Sequence, residues 1–348
     1  MSPYILATLL FTLGLGTTIT FASSHWLLAW MGLEINTLAI IPLMAQNHHP
    51  RAVEATTKYF LTQATAAAML LFASTTNAWL TGQWNIDQMT HPLPTTMITL
   101  ALALKIGLAP VHAWLPEVLQ GLDLTTGLIM STWQKLAPFA LLLQIYPSNP
   151  AILITLGLIS TLVGGWGGLN QTQLRKILAY SSIAHLGWMM LVLQFSPQLT
   201  LLALLTYIIM TFSTFLVFKL NKTTNINSLA TSWTKAPALT TLTPLVLLSL
   251  GGLPPLTGFM PKWLILQELS KQDLATIATI AALSALLSLY FYLRLSYAMT
   301  LTMSPNNLAG TTPWRLPSYQ PTLPLAISLT AALSLLPMTP TATTILPL

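Results

Sequence analysis

The chain has 348 residues, of which 54% are hydrophobic and only 6% charged; it carries a formal net charge of +6 and no cysteine. A soluble domain averages about 25% charged residues, so this composition excludes an ordinary soluble enzyme. The lack of thiols excludes thiolate-held iron–sulfur clusters, disulfides and cysteine-based zinc sites in this chain. Apolar segments of about 20 residues recur from end to end, each long enough to cross a hydrocarbon core about 30 Å thick. They are continuously apolar, which argues against a β-barrel and for an all-α polytopic membrane protein.

The apolar pattern predicts eleven transmembrane helices: 3–21, 26–44, 57–80, 96–121, 126–146, 150–170, 176–194, 198–219, 239–269, 274–298 and 323–346. The first begins at once in MSPYILATLLFTLGLG, with neither an Arg-rich transit peptide nor a small-residue cleavage site, so insertion without an import address is expected. The second carries Glu34 at mid-depth. The fourth carries Lys105, is interrupted at Pro110 and continues through His112. The fifth places Lys135 near its centre, with Ser131 and Thr132 one turn earlier on the same stripe. The sixth ends in Gly164–Gly165–Trp166–Gly167–Gly168, a pattern for close helix contact. The seventh sets His185 on one face with Ser181 and Ser182. The ninth is interrupted at Pro254–Pro255 and bears Lys262 just beyond the break. Pro337 and Pro340 cut the eleventh near its end.

The remaining charges report topology. Connections associated with even-numbered spans carry Arg51, Lys58, Arg175, Lys176, Lys219, Lys222, Lys235, Arg294 and Arg315; those after odd-numbered spans carry only Lys271. Nine basic residues against one places the N-terminus on the negative side of the membrane. The basic balance is therefore spent on orientation, and nucleic-acid binding has no support. The stretch LAPVHAWLPEVLQ (108–120) echoes LPPLTGFMPKWLI (253–265) at an offset of 145 residues, with Pro110 and Pro116 matched by Pro255 and Pro261. That offset lays spans one to five over spans six to ten. Five is odd, so the copies run in opposite senses. The expected organisation is a first five-helix repeat (1–146), a second, inverted one (147–298), a polar Pro-rich connection (299–322) and a C-terminal helix (323–348). Inverted repeats with matching broken helices point to an ion path at mid-depth.

Glu34, Lys105, Lys135 and Lys262 are the residues whose position demands a reason. On insertion scales one charge at the bilayer centre costs about 2.5–3.5 kcal/mol, so four cost on the order of 10 kcal/mol. The alternative for Lys135 is a snorkelling side chain, but the nearest helix end is about 15 Å away at helical rise. Lys262, nearer a break, is more open to snorkelling. Glu34 is either a protonated carboxyl on a neighbouring backbone or the partner of a buried lysine. His112 and His185 are candidates for a proton wire; each is otherwise a packing histidine. A haem between them is disfavoured, because their segments show no repeated ligand pattern. Glu117 and Asp123 fall near a helix end, where they are expected to be solvated.

Three stretches, WMGLEINTLAIIPLM (30–44), KIGLAPVHAWLPEVLQG (105–121) and KILAYSSIAHLGWM (176–189), resemble the mitochondrially encoded subunit 2 family of NADH:ubiquinone oxidoreductase, respiratory complex I. That family is similar in fold to antiporter-like subunits and to multisubunit cation/proton antiporters. The resemblance implies the shortened animal form, which lacks three N-terminal helices of bacterial relatives. It implies that Glu34 and Lys105 form a buried ion pair, with Lys135 the central relay lysine and Lys262 the terminal lysine of the second repeat. It further implies the mitochondrial inner membrane, antiporter-like and small membrane subunits as partners, surrounding lipids such as cardiolipin, and no homo-oligomer. No cofactor is expected on this chain; NADH, FMN, iron–sulfur clusters and ubiquinone belong to other subunits. The function so implied is proton translocation coupled to electron transfer elsewhere. Two other readings remain at this point: a stand-alone cation/proton antiporter and a non-transporting scaffold.

Overall fold

The structure is a computed structural model that describes residues 2–46, 48–89, 91–145, 150–234, 237–301 and 322–345. It is built of helices, and its backbone contacts divide it into two compact units that meet between Gly157 and Leu158.

Unit 1 contains α1 (Pro3–Ala22), α2 (Trp26–Met44), α3 (Pro50–Thr81), α4 (Pro92–Ile106), α5 (Trp114–Gly121), α6 (Leu124–Ser131) and α7 (Trp133–Gln144). Helix starts follow capping rules. Pro3 and Pro50 occupy first turns, where a missing N–H is harmless, and His49 Nδ1 accepts from the Arg51 amide at 3.2 Å. Gly82 ends α3 in the left-handed conformation (φ 74°). Helix α2 packs on α1, α3 and α7, while α4 packs on α3 and α7, so α2, α4 and α7 enclose one interior.

Both ends of unit 1's proline break are visible. Helix α4 stops at Ile106 and α5 begins at Trp114, with a cis Ala109–Pro110 bond between them. A second break falls where one helix was expected. The span 126–146 is divided at Thr132 (φ −111°, ψ −67°), one turn before Lys135. Thr132 turns both its amide (3.0 Å) and its hydroxyl (2.7 Å) onto the Leu128 carbonyl. Such back-bonding competes with the helical ladder, and Pro138 removes the donor that Gln134 would use one turn later.

Unit 2 holds the rest of α8 (Pro150–Gly168), followed by α9 (Leu174–Val192), α10 (Pro197–Leu220) and α11 (Ile226–Ala230). Beyond them come α12 (Pro237–Gly251), α13 (Phe259–Lys271), α14 (Ala275–Thr300), α15 (Leu323–Ser334) and α16 (Thr339–Ile345). The glycine ridge of α8 does what its composition suggests. A Cβ on Gly164 would stand 2.6 Å from the Ala184 amide nitrogen of α9, and one on Gly168 would stand 2.7 Å from the Phe291 ring of α14. The expected break divides α12 from α13, around a cis Pro254–Pro255 bond. Thr257, in that break, donates its hydroxyl to the Ala332 carbonyl of α15. The chain after α15 is cut by a short 3-10 turn at Leu336–Met338, as its prolines predict. The connection 302–321, including Arg315, and Lys235 lie outside the described residues.

Among the described residues, five helices are long and apolar enough to cross a membrane unbroken: α1, α2, α8, α10 and α14. The others expected to cross are halved by breaks (α4/α5, α6/α7, α12/α13, α15/α16), or diluted by polar residues (α3, α9).

Candidate functional site

Lys105, in the last turn of α4, is 6% exposed, and Lys135, in the first turn of α7, is 2% exposed. Both line one cavity in unit 1, together with Asn36, Thr37, Tyr59, Gln63 and Gln134. Its room for water is about 10 Å³, which is space for about one molecule. Lys105 Nζ is fully buried and has no hydrogen-bond partner.

Glu34 lies on α2 one residue from Leu33 and two from Asn36, both of which line the cavity. The residue is half-buried, and its Oε2 is buried without a hydrogen-bond partner. Glu34 and Lys105 are not joined in a contact ion pair, unlike Lys58 with Glu54 and Glu117, or Lys271 with Glu268. Glu34 and Lys105 thus each keep a buried side-chain atom without a hydrogen-bond partner.

The broken end of α4 explains why the cavity is polar. A helix C-terminus leaves carbonyls without intrahelical donors. Here the Leu104 carbonyl accepts the Trp114 indole N–H at 3.1 Å, and the Lys105 carbonyl accepts Gln63 Nε2 at 3.4 Å. Gly107 (φ 86°) turns the chain out of the helix. His112 lies beyond the break: its half-exposed imidazole lies 3.3 Å from the Pro110 carbonyl through Nδ1 and does not line the cavity. Glu117 is exposed and holds Lys58 at 2.8 Å, as its position near a helix end predicts.

In unit 2, Lys262 is 9% exposed and turns inward instead of snorkelling. Its ammonium donates to the Gly251 carbonyl at 2.8 Å and lies 6.0 Å from the Trp188 ring centroid. It therefore caps the broken C-terminus of α12, where the helix dipole concentrates negative potential. Gly252 (φ 79°) is required beneath it, since a Cβ there would meet Lys262 Cδ at 2.9 Å and Nζ at 3.1 Å. A largely apolar cavity of about 350 Å³ adjoins the lysine. His185 is half-buried on α9, its ring 5.6 Å from that of Tyr207, and lines neither cavity described here.

Buried lysines at broken helices within an apolar helical fold narrow the class of protein. The profile described as NADH:quinone oxidoreductase/Mrp antiporter, TM, matches residues 23–288, and that for the NADH dehydrogenase subunit 2 C-terminus matches residues 289–343. The chain belongs to this family. It is a multi-pass membrane protein of the oxidoreductase/antiporter kind. It is 79% identical to NADH-ubiquinone oxidoreductase chain 2 of Tetraodon nigroviridis over 98% of both chains. Among solved structures it superposes on a chain of respiratory complex I from Thermus thermophilus, with a TM-score of 0.81 and 29% identity, covering 97% of this chain and 80% of that one. A chain of the Mrp complex from Dietzia sp. shares the fold at 18% identity, with a TM-score of 0.78 over 97% of this chain and 77% of that one.

Reading the sequence for charge alone missed Asn36, Gln63, Gln134 and Tyr59. The signal was available, because buried amides in apolar spans violate the same rule as buried charges.

Proposed function

We propose that the chain is a core membrane subunit of NADH:ubiquinone oxidoreductase, respiratory complex I, and that it moves protons across the mitochondrial inner membrane while other subunits carry electrons from NADH to ubiquinone. In this reading FMN, the iron–sulfur clusters and the quinone site lie on those subunits. Neighbouring antiporter-like and small membrane subunits flank the chain, with cardiolipin among its lipids. Eleven crossings form two inverted five-helix repeats, 1–146 and 147–298, plus a C-terminal helix, and the N-terminus faces the matrix. The observation that carries the reading is the cavity shared by Lys105 and Lys135, with Glu34 next in sequence to Leu33, which lines it.

The mechanism follows from charge in a poor dielectric. Two unit charges 4 Å apart interact by about 4 kcal/mol at an effective dielectric of about 20, and by about half that at twice the distance. A shift of Glu34 relative to Lys105 over that range changes the lysine's proton affinity by roughly 2 kcal/mol, or about 30-fold. Glu34 and Lys105 act as the switch, Lys135 as the relay and Lys262 as the far station. His112 and His185 are candidates for the entry and exit of protons by way of water. Lys135→Ala, in complex I reconstituted into liposomes, is expected to lower the number of protons pumped per electron while NADH oxidation persists. An unchanged ratio would remove Lys135 from the path.

A further inference from the structure

The turn of α7 that carries Lys135 is weakly held by its own helix. A break at Thr132 opens the chain before it, and Pro138 withholds the amide that would close on the Gln134 carbonyl. Two side chains of this turn reach neighbouring helices instead. Gln134 Nε2 donates to the Asn36 main-chain carbonyl of α2 at 3.2 Å, and Trp133 Nε1 donates to the Leu13 carbonyl of α1 at 3.5 Å. A carbonyl inside a helix has a second lone pair to offer such a donor. The two side chains differ in what they adjoin. Trp133 is exposed, whereas Gln134 lines the cavity together with Lys105 and Lys135. The carbonyl that Gln134 takes lies two residues beyond Glu34 on the same helix.

We propose that Gln134 is a positioning residue that ties the turn bearing Lys135 to α2, so that a movement of the Glu34 helix is passed to Lys135. The inference rests on the relay reading above. In that reading Glu34 acts through its charge; through Gln134 it also acts mechanically. When α2 shifts, the Asn36 carbonyl travels with Glu34, because both belong to one helix. The Gln134 amide follows to keep its hydrogen bond, and Lys135 is the next residue in the chain. The interruptions at Thr132 and Pro138 let this turn move without carrying the rest of α6 and α7. Little travel is needed, since a displacement of about 1 Å at a reacting group can change a rate by about 100-fold. Glutamine suits the task because it spans the gap between two helices and donates without adding a charge beside the lysine. A lysine or arginine in its place would set a like charge next to Lys135. Methionine has a similar reach and no donor.

The test is a double-mutant cycle in whole complex I in liposomes, with Gln134→Met, Glu34→Gln, the two together and Lys135→Ala compared for assembly and protons per electron. Gln134→Met is expected to lower protons per electron, by less than Lys135→Ala does. Glu34→Gln is expected to lower them in the parent chain, and by a smaller factor in the Gln134→Met background. Equal factors in the two backgrounds mean that Gln134 supports the fold and passes nothing on, and they overturn the proposal. So does a Glu34→Gln variant that pumps normally, because it leaves nothing to transmit. Normal pumping by Gln134→Met beside a defective Lys135→Ala overturns the coupling and leaves the relay standing. Normal pumping by Lys135→Ala overturns the relay reading and this inference with it. If Gln134→Met fails to assemble, Gln134→Asn takes its place in the cycle, since it keeps the amide but is one methylene too short to reach α2.

Discussion

Lys105 and Lys262 both stand at the broken C-terminus of a helix, yet they meet it differently. Lys105 is the last-turn residue itself; its own carbonyl is taken by Gln63 and that of Leu104 by Trp114, and its ammonium has no hydrogen-bond partner. Lys262 reaches back across its break and takes the Gly251 carbonyl. A lysine held by a carbonyl and an aromatic ring is anchored; one facing a cavity is available. Gly252 makes the anchoring possible, so Gly252→Ala is expected to cost about 1–2 kcal/mol for the left-handed backbone alone. It is also expected to push Lys262 off Gly251. The thermal midpoint of the assembled complex and its protons per electron measure both effects, and a variant unchanged in either would mean that the lysine does not depend on the glycine. Charge made all four mid-depth residues conspicuous in the sequence. Their partners were not legible, because which carbonyls lose their donors depends on the residue at which each helix stops.

At the scale of elements, the breaks in α4/α5 and α12/α13 were readable from Pro110 and from Pro254–Pro255, whereas the one at Thr132 was not. Proline marks its break directly, but Thr132 acts through a side-chain hydrogen bond to Leu128, which a list of residues does not display. Arg294 teaches a related lesson. It counted among the basic residues that set orientation, and in the structure it lies inside α14 with Nη1 and Nη2 donating to the carbonyls of Leu169 and Gln171. Those carbonyls follow the C-terminus of α8, so one guanidinium closes the turn between α8 and α9. With about 1.5–3 kcal/mol for each hydrogen bond from a charged group, Arg294→Ala is expected to lower the stability of this unit clearly. Arg294→Lys, with a single point of contact, is expected to recover only part of the loss. Thermal inactivation of NADH oxidation coupled to pumping, followed for both variants, checks the order. Equal stability of all three proteins would count against the clamp.

For the whole molecule, composition and charge distribution carry most of the weight. Nine basic residues on one set of connections against one on the other predict an N-terminus that faces the matrix. A small impermeant label on an N-terminal tag is expected to react only when the matrix side is open. Labelling in intact, outer-membrane-stripped mitochondria would reverse the assignment. By itself the sequence determined that the chain lives in a membrane, that it is helical, that two helices break at prolines, and that Glu34, Lys105, Lys135 and Lys262 carry charge where charge is costly. It could do so because hydropathy, proline geometry and the cost of burying charge are local properties. Only the tertiary structure decided that Lys105 and Lys135 line one cavity with Asn36, that Glu34 and Lys105 form no contact ion pair, and that His112 does not line that cavity. Those facts depend on the angles at which α2, α4 and α7 meet, and such angles are set by packing among residues far apart in the chain.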